Sequence, residues 1–547
     1  VYKRQPVIRF DAAMTLAKRH FQRLWFPQPG TGGDIPSRAD YGMTREQFNQ
    51  AFPEEFWREV VDRVAQEIPD TLLLAEAFWM MEGYFVRTLG MHRVYNSAFM
   101  NMLRDEKNQE YRLVIKNTLE FDPEILKRYV NFMNNPDERT AVDQYGKSDK
   151  YFGICTMLAT MPGLPMFGHG QVEGYTEKYG MEYKRAYWDE TPDPYLVERH
   201  EREIFPLLRK RYLFAGVDNF LLYDFFTSDG HVNEDVFAYS NGNADQRALV
   251  IYHNKYARTS GWIRLSSVYP EKSKEKDSSK RTMIQKSLAE GLKLKNDANY
   301  FCLFRDHLTG LQYIRNNQLL HHQGLYVDLD GYQHYVFQDF YEVPDNEQLL
   351  YSRLESYLDG RGVPDVQEAI QEIILQPVRL QYRELVNSGW LDWLMKILAK
   401  NEKLSDDALL VAVKQIDTQS YSLLKEVRKF SDGPGDVNSI ATKIKFENSA
   451  LLWISKLQDY PIDKSASEYR KAIKYLDSGY TSGGKSIIRK KKINTILLIW
   501  IFTHHIGFVP FHKQSETSYG LEQSRSWIDE WMLGSIIVDA LVGMGYD

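Results

Sequence analysis

One short stretch near the start of the chain, residues 7–13, constrains the fold more than any other part of the sequence. It is an apolar run that contains two charged residues, Arg9 and Asp11. In a strand these side chains lie on the same face, because side chains alternate with period two. A guanidinium beside a carboxylate keeps that carboxylate ionised and makes its burial tolerable. The pair predicts an oriented anionic group at a strand end; the alternative is a surface Asp that caps the following helix.

Two further apolar stretches end on acids in the same way. Residues 72–78 contain Glu76 and residues 129–138 contain Asp137, and helical sequence separates the stretches from one another. Strand ends that carry carboxylates and alternate with helices predict a βα barrel, in which the active site lies at the carboxyl ends of the strands. The acids Asp11, Glu76 and Asp137 are therefore predicted to share one site.

Together with two later motifs, these stretches resemble the α-amylase superfamily, glycoside hydrolase family 13. Residues 163–174 resemble the last barrel strand of that family, and residues 185–189 and 209–212 resemble the sequence that follows it. The resemblance covers about residues 6–215, extends less closely into the β-rich sequence beyond, and does not include the last third of the chain. Each motif alone is weak, whereas the three acid-bearing stretches and residues 163–174, four motifs in this order and spacing, are specific.

The resemblance implies a retaining glycosidase mechanism with a role for each acid. Asp11 would be the nucleophile, oriented by Arg9, and Glu76 would be the acid/base. Asp137 would stabilise the distorted sugar ring as positive charge develops on it. The side chains predicted to bind substrate are Arg9, Trp79, Tyr84, Asn135 and His169.

Three of these predicted substrate contacts have a second interpretation. Trp79 and Tyr84 offer flat apolar rings that stack on sugar faces, and the alternative is packing in the rim of the barrel. His169 follows the last predicted strand, and it either faces the site or supports its structure.

Two departures from the family pattern bear on the activity. Pro136 stands where the family usually has a His before the third acid, and Met14-Thr15 stands where it often has Lys-His. A similar Asn-x-Pro-Asp turn occurs in the maltosyltransferase branch of the family, which uses maltose 1-phosphate. The resemblance therefore implies an enzyme that acts on α-1,4-linked glucans or maltooligosaccharides, with hydrolysis favoured. The alternatives are an α-glucan glycosyltransferase and a catalytically inactive glycan-binding module.

The sequence pattern divides the chain into three predicted domains. Residues 1–215 match strands 4–8 of a (β/α)8 TIM barrel of the α/β class, 216–345 predict an all-β sandwich, and 346–547 predict an all-α region. Because the chain opens on the fourth barrel strand, we expect it to be an N-terminally truncated fragment that is inactive when isolated. Helix breaks in the last region are expected near residues 358–365, 431–438, 478–485 and 507–519.

Composition and apolar run lengths indicate which classes of partner and which cellular location to expect. The 547 residues are 43% hydrophobic and carry a net charge of −6, which gives no reason to expect nucleic-acid binding. The longest apolar run, residues 493–502, is too short to span a bilayer, so no membrane partner is predicted. Cys155 and Cys302 lie in separate apolar runs and are expected to be buried free thiols. No signal peptide is visible, so the location stays open, with the cytoplasm favoured over secretion.

The sequence predicts neither a cofactor nor a metal site. The pairs His504-His505 and His321-His322 lack further ligands at metal spacing. Calcium is common in the resembled family, but the sequence that usually binds it is absent from this chain. Residues 479–486 fit the spacing of a phosphate-binding loop, yet a polar-faced helix rather than a buried strand is predicted before them, which favours a linker.

Overall fold

The computed structural model describes residues 6–77, 81–178, 184–270, 282–398, 406–454, 463–478, 484–511 and 517–546. The chain forms two compact units, Val1–Val366 and Gln367–Asp547. The first unit includes the predicted barrel strands, the predicted β-rich region and also residues 346–366, which the sequence assigned to the helical region. The division into domains at residues 215 and 345 stays a prediction.

A five-stranded parallel sheet begins the first unit. Each strand pairs with the next one along the chain, so that sheet order equals chain order. Sequential parallel pairing with helices between the strands is the arrangement expected of barrel strands. The α/β class is thus confirmed for this region, and closure into a barrel stays a prediction. The strands are β1 (Val7–Phe10), β2 (Leu72–Ala75), β3 (Arg93–Tyr95), β4 (Tyr129–Phe132) and β5 (Leu164–Met166).

Helices follow each strand of this sheet. The short 3-10 segments Ala13–Leu16 and Pro36–Tyr41 and a π-helical turn at His200–Ile204 accompany them. The α-helices are α1 (Lys18–Trp25), α2 (Arg45–Ala51), α3 (Phe56–Glu67), α4 (Glu82–Arg87), α5 (Ser97–Arg104), α6 (Asn108–Phe121), α7 (Glu124–Arg128), α8 (Ala141–Tyr145), α9 (Asp149–Thr160), α10 (Pro194–Arg199), α11 (Phe205–Arg209) and α12 (Arg211–Phe214).

An antiparallel sheet of eight strands completes the first unit. All eight belong to one hydrogen-bonded sheet, so the predicted β-rich character is confirmed, and its packing as a two-layer sandwich stays a prediction. In sheet order the strands are β13 (Gln312–Asn316), β12 (Tyr300–Asp306), β15 (His334–Pro344), β8 (Gln246–His253), β7 (Val236–Asn243), β6 (Leu221–Thr227), β9 (Thr259–Ser266) and β14 (Leu325–Leu329). A separate pair, β10 (Tyr269–Pro270) and β11 (Met283–Ile284), and helices α13 (Leu288–Gly291), α14 (Asn317–Gln323) and α15 (Leu350–Leu358) accompany this sheet.

Helix α9 lies in the centre of the first unit. Every residue from 151 to 160 is buried, and these side chains share one core with side chains of both sheets. A helix that is apolar on all sides must be covered on all sides. Gly153 permits the closest of these approaches, because a Cβ there would lie 2.0 Å from a ring carbon of Tyr252.

Arg112 on α6 connects the helical layer to the antiparallel sheet. The residue is fully buried, donates hydrogen bonds to the carbonyl oxygens of Tyr223 and Val236, and forms ion pairs with Asp224 and Glu234. A buried guanidinium is tolerated when its charge is paired and its donors are satisfied. This network helps to explain why the regions on either side of residue 215 form one unit.

Every regular element described in the second unit is a helix, which confirms the predicted all-α character there. Its helices are α16 (Val366–Leu385), α17 (Ser388–Leu398), α18 (Asp406–Ser431), α19 (Val437–Ile454), α20 (Ser467–Ser478), α21 (Gly484–His504), α22 (Thr517–Glu530) and α23 (Leu533–Gly543). The predicted breaks near 431–438 and 507–519 fall between α18 and α19 and between α21 and α22, and the break near 358–365 precedes α16. The predicted break near 478–485 lies largely outside the described residues. Among the described helices, none is both long enough and apolar enough to cross a membrane.

Two further expectations concern the cysteines and the segment that resembles a phosphate-binding loop. Cys155 and Cys302 are buried free thiols, as predicted. The phosphate-loop-like segment lies largely outside the described residues, which resume at Gly484 with helix α21.

Candidate active site

The register of β1 against β2 brings two of the predicted acids together. Phe10 pairs with Ala75, and the N–H of Glu76 donates to the carbonyl oxygen of Phe10 at 3.0 Å. The backbone N–H of Ala12, just after β1, donates to Oε2 of the Glu76 side chain at 2.9 Å. Asp11 and Glu76 therefore sit side by side at the carboxyl ends of adjacent parallel strands, where a βα fold places its functional groups.

Arg9 joins these two acids to a third group. Its Nη1 donates to Oδ1 of Asp11 at 2.7 Å, and its Nη2 lies 3.2 Å from Oε1 of Glu76. Its Nε donates to the phenolic oxygen of Tyr95, at the end of β3, at 3.0 Å. A planar guanidinium offers several donors in fixed directions, so it can hold all three partners at once. Arg9 thus fixes the relative positions of groups from three neighbouring strands.

The two carboxyl groups have pKa values shifted in opposite directions. The hydrogen bond from Arg9, followed by one from Glu76, lowers the pKa of Asp11. Burial raises the pKa of Glu76 above its usual value, even though the Ala12 N–H and the Arg9 charge act against this shift. The side chain of Asp11 is 60% exposed, whereas that of Glu76 is 6% exposed. The site therefore contains an accessible carboxyl group that ionises more readily than usual beside a shielded one that keeps its proton more readily than usual, an arrangement that pairs of carboxyl groups with different roles share.

Asp137 lies on the loop after β4, exposed to solvent. Its backbone N–H donates to Oδ1 of Asn135 at 3.0 Å, and Nζ of Lys178 donates to its carbonyl oxygen at 2.6 Å. Its negative charge contributes to the raised pKa of Tyr95, after the larger effects of burial and of the Glu76 charge. That Asp137 shares one site with Asp11 and Glu76 stays a prediction.

Asn135 and His169 line a common small cleft, together with Glu138 and Lys178. Oδ1 of Asn135 accepts the N–H groups of both Asp137 and Glu138, so this side chain shapes the turn that presents Asp137. His169 is exposed, with its ring centroid 6.1 Å from that of Tyr175. Substrate binding by Asn135 and His169 stays a prediction.

Of the two predicted aromatic contacts, Tyr84 is described by the structure and Trp79 is not. Tyr84 donates its hydroxyl hydrogen to Oε2 of Glu55 at 3.1 Å, and burial followed by the Glu55 charge raises its pKa to about 12. It lines a cleft of about 1200 Å³ beside α1 and α2, whose lining includes none of the three acids. Trp79 lies outside the described residues. Sugar stacking by Tyr84 and Trp79 is thus still a prediction.

A buried amide pair supports the strand ends beneath the site. Nδ2 of Asn96 donates to Oδ1 of Asn131 at 2.9 Å, and Nδ2 of Asn131 donates to the carbonyl oxygen of Pro162 at 3.2 Å. Because buried polar groups are costly unless paired, these bonds fix β3, β4 and the start of β5 relative to one another. The amide pair therefore holds the strand ends that carry Tyr95 and the Asp137 loop.

Sequence reasoning missed Tyr95 and the amide of Ala12. Tyr95 is the last residue of β3, which lies between the strands that precede Glu76 and Asp137. This position at a strand end is the feature of the sequence that could have identified Tyr95 as a site residue. From the sequence alone, the apolar run of residues 92–99 predicts one strand, whereas in the structure β3 ends at Tyr95 and α5 begins at Ser97. Phe99, Met100 and Leu103 are all buried, with the spacing of one helix face, and this burial favours the helix.

Similarity to known proteins was found among solved structures. No protein-family model and no curated protein matches the chain. An alpha-amylase from Geobacillus thermoleovorans, complexed with acarbose, is 13% identical with a TM-score of 0.35, over 52% of this chain and 57% of that one. A debranching enzyme from Nostoc punctiforme is 14% identical with a TM-score of 0.36, over 52% and 55%. A cyclomaltodextrin glucanotransferase is 16% identical with a TM-score of 0.33, over 55% of each chain.

These neighbours are enzymes of the amylase family, the family that the sequence motifs resemble. The chain spans less than three fifths of the length of each of the three. Values this low carry no argument about activity, which must be argued from the acids and their surroundings.

Proposed function

We propose that this chain contributes the paired carboxyl groups of a retaining glycoside hydrolase of the α-amylase family, acting on α-1,4-linked glucans. The observation that carries the proposal is the Arg9-bridged pair in which Asp11 is ionised and exposed while Glu76 is buried with a raised pKa. Retaining glycosidases need one carboxylate that attacks the sugar and one carboxylic acid close by that protonates the leaving oxygen.

In this mechanism each group has one task. The carboxylate of Asp11 attacks the anomeric carbon as Glu76 gives its proton to the glycosidic oxygen, which leaves with the departing sugar. Glu76 then takes a proton from water, and the resulting hydroxide displaces Asp11 from the covalent intermediate. Asp137 faces the charge that develops on the ring, and Arg9 keeps both carboxyl groups in position.

The experiment tests the roles separately in the complete reading frame that contains residues 1–547. With maltoheptaose, the wild-type protein is expected to release shorter sugars, and Asp11→Asn and Glu76→Gln are each expected to lose most of this activity. An α-maltosyl fluoride does not need a proton on its leaving group. Glu76→Gln should therefore still release fluoride in a first turnover, whereas Asp11→Asn should not. Equal fluoride release by both variants would contradict the assignment.

A second function, transfer to an acceptor other than water, is favoured by the turn that holds Asp137. Pro136 has neither a backbone N–H nor a polar side-chain group, so this position donates no hydrogen bond to a sugar hydroxyl. The same maltoheptaose reaction, run with and without inorganic phosphate, separates the functions. Longer sugars, or a sugar 1-phosphate formed only with phosphate, indicate transfer. Glucan binding without any product in either reaction indicates an inactive binding module.

A further inference from the structure

Two consecutive histidines and one glutamate meet in the helical unit of residues 367–547. Nε2 of His504 lies 3.3 Å from Oε2 of Glu447, and Nε2 of His505 lies 3.0 Å from Oε1 of the same residue. One ligand atom from each of the three residues can be chosen so that all lie within 4.8 Å of one another. The side chains of His504 and His505 are 10% and 9% exposed, and that of Glu447 is 37% exposed. The group is therefore mostly shielded but can be reached from solvent through Glu447.

The end of helix α21 allows two neighbours in sequence to point at one place. In a continuing α-helix, consecutive side chains diverge by about 100°. His504 is the last residue of α21, and His505 stands before the 3-10 segment Ile506–Phe508, so the backbone changes direction between the two rings. Glu447 comes from α19, which is separated from both histidines by 57 residues or more of sequence. This separation explains why residue spacing alone predicted no metal ligands here.

The tautomer of His504 is set by its other ring nitrogen. Nδ1 lies 2.8 Å from the carbonyl oxygen of Trp500, an acceptor, so Nδ1 carries the proton that it donates. In the neutral ring, Nε2 then presents its lone pair toward Glu447. The indole of Trp500 also stacks on the imidazole, with centroids 3.7 Å apart, and this holds the ring orientation. Metal-binding histidines are held in this way, by a backbone carbonyl on the nitrogen that does not bind the metal.

His505 directs a second ring nitrogen at the same carboxylate. Its Nε2 is buried and lies 3.0 Å from Oε1 of Glu447. Buried polar atoms need a partner, and one cation between the three groups would satisfy both ring nitrogens and the carboxylate together.

We propose that Glu447, His504 and His505 bind a divalent cation of the zinc type. Ligands about 2.0–2.1 Å from a tetrahedral ion are separated by roughly 3.3 Å, close to the 3.0 and 3.3 Å between the carboxylate oxygens and the two ring nitrogens. Two imidazoles and one carboxylate are a donor set that suits zinc, and three protein ligands leave a fourth position for water. The alternative is a simple ion pair between Glu447 and a protonated histidine, which needs no metal.

Zinc binding to the metal-stripped, full-length chain tests the proposal. A chromophoric chelator as competitor should report one tightly bound Zn²⁺ per chain. Glu447→Gln and His505→Gln are each expected to weaken binding by about 100-fold or more, since even the loss of outer contacts costs 10–100-fold at such sites. His322→Gln is the matched control, because it changes an exposed histidine of the other adjacent pair and should leave binding unchanged.

Two further measurements identify the metal ligands and check that the variants remain folded. Cobalt in place of zinc should give the visible bands of a tetrahedral ion without a thiolate charge-transfer band, because no cysteine takes part. Circular dichroism should show that Glu447→Gln, which changes a partly exposed side chain, keeps its helix content. The proposal fails if the wild-type chain binds zinc no more tightly than Glu447→Gln, or if a thiolate band shows that Cys155 or Cys302 holds the metal.

Discussion

Arg9 holds together groups that are far apart in sequence but adjacent in the sheet. The sequence predicted its pairing with Asp11, because residues two apart on a strand share a face. It could not predict the contact with Tyr95, which depends on the register of β3 between its neighbours. For the same reason the sequence did not predict the cluster of Glu447, His504 and His505. Glu447 lies on α19, whereas the two histidines lie at the end of α21, and only the packing of these helices brings them together. Local periodicity finds such partners only when they lie within one element.

Replacement of Arg9 by Lys should lower kcat/KM by about 100-fold, because a single ammonium cannot hold three partners in fixed directions. Loss of the Arg9 hydrogen bond also raises the pKa of Asp11 toward its ordinary value. The acidic limb of the pH–rate profile should therefore move to higher pH. Steady-state kinetics of the complete enzyme across the acidic range measure both effects. Arg63→Lys, at an exposed pair with Glu67, is the control, and an unmoved acidic limb in Arg9→Lys would argue against this role.

The opposed pKa shifts of Glu76 and Asp11 also make a prediction about stability. The pKa of Glu76 is raised in the folded protein, so its contribution to stability is present at low pH and is lost as the pH rises through the folded pKa. Relative to wild type, Glu76→Gln should therefore become more stable as the pH rises above the ordinary Glu range.

The shift of Asp11 has the other sign. Its folded pKa is lowered, so its contribution is present above the ordinary Asp range and is lost as the pH falls through the folded pKa. Relative to wild type, Asp11→Asn should therefore gain stability as the pH falls. Urea unfolding of the wild type and both variants at several pH values provides the measurement. Parallel pH profiles for the two variants would contradict the assigned directions.

At the scale of elements, strand and helix positions followed well from the sequence where apolar spacing was regular. The strands around Arg9 and Glu76 and the breaks between the C-terminal helices are examples. The strand predicted over residues 92–99 was too long, because the apolar residues that continue it pack as one face of α5. A short apolar run is compatible with both the two-residue period of a strand and the 3.6-residue period of a helix, and tertiary packing decides which of the two forms.

Gly153 offers a test of how tightly α9 is packed. Ala is intrinsically preferred over Gly inside a helix, yet a Cβ at this position would lie 2.0 Å from the ring of Tyr252. Gly153→Ala should therefore destabilise the protein by about 1–3 kcal/mol, the usual cost of overpacking a core. Urea unfolding measures the change. Gly83→Ala on α4 is the matched control, since its nearest neighbour is the flexible end of Arg87 at 3.6 Å, and it should not destabilise. A neutral Gly153→Ala would show that the core can relax around Tyr252.

At the scale of the whole molecule, the class and order of the regions followed from the sequence, whereas the division into domains at residues 215 and 345 stays a prediction. The switch from βα pattern to short strands near residue 216 predicted a domain boundary. Arg112 on α6 pairs with Asp224 and Glu234 across that point, and the two regions share a core. Composition changes show where the architecture changes, but whether two regions form one unit depends on contacts between residues more than a hundred positions apart.

The segment of residues 346–366 gives the sharpest test at this scale. The sequence assigned it to the helical region, but Leu354 and Leu358 are buried within the first unit. Backbone hydrogen bonds of 2.7 and 2.9 Å join Gln312 to Val363, and Glu355 accepts the N–H of Asn316 at 2.6 Å. Two buried leucines alone are worth roughly 3–6 kcal/mol.

A chain that ends at residue 366 should therefore unfold at a clearly higher temperature than a chain that ends at residue 345. Removal of residues 346–366 exposes the apolar surface that α15 covers and leaves the backbone groups of β13 without their partners. Thermal unfolding followed by circular dichroism compares the two chains, and light scattering reports aggregation of the shorter one. A third chain, ending at residue 366 with Leu354→Ala, should fall between them, since it keeps the hydrogen bonds but loses part of the burial. Equal melting temperatures for the two chain lengths would place the boundary at 345, as the sequence pattern predicted.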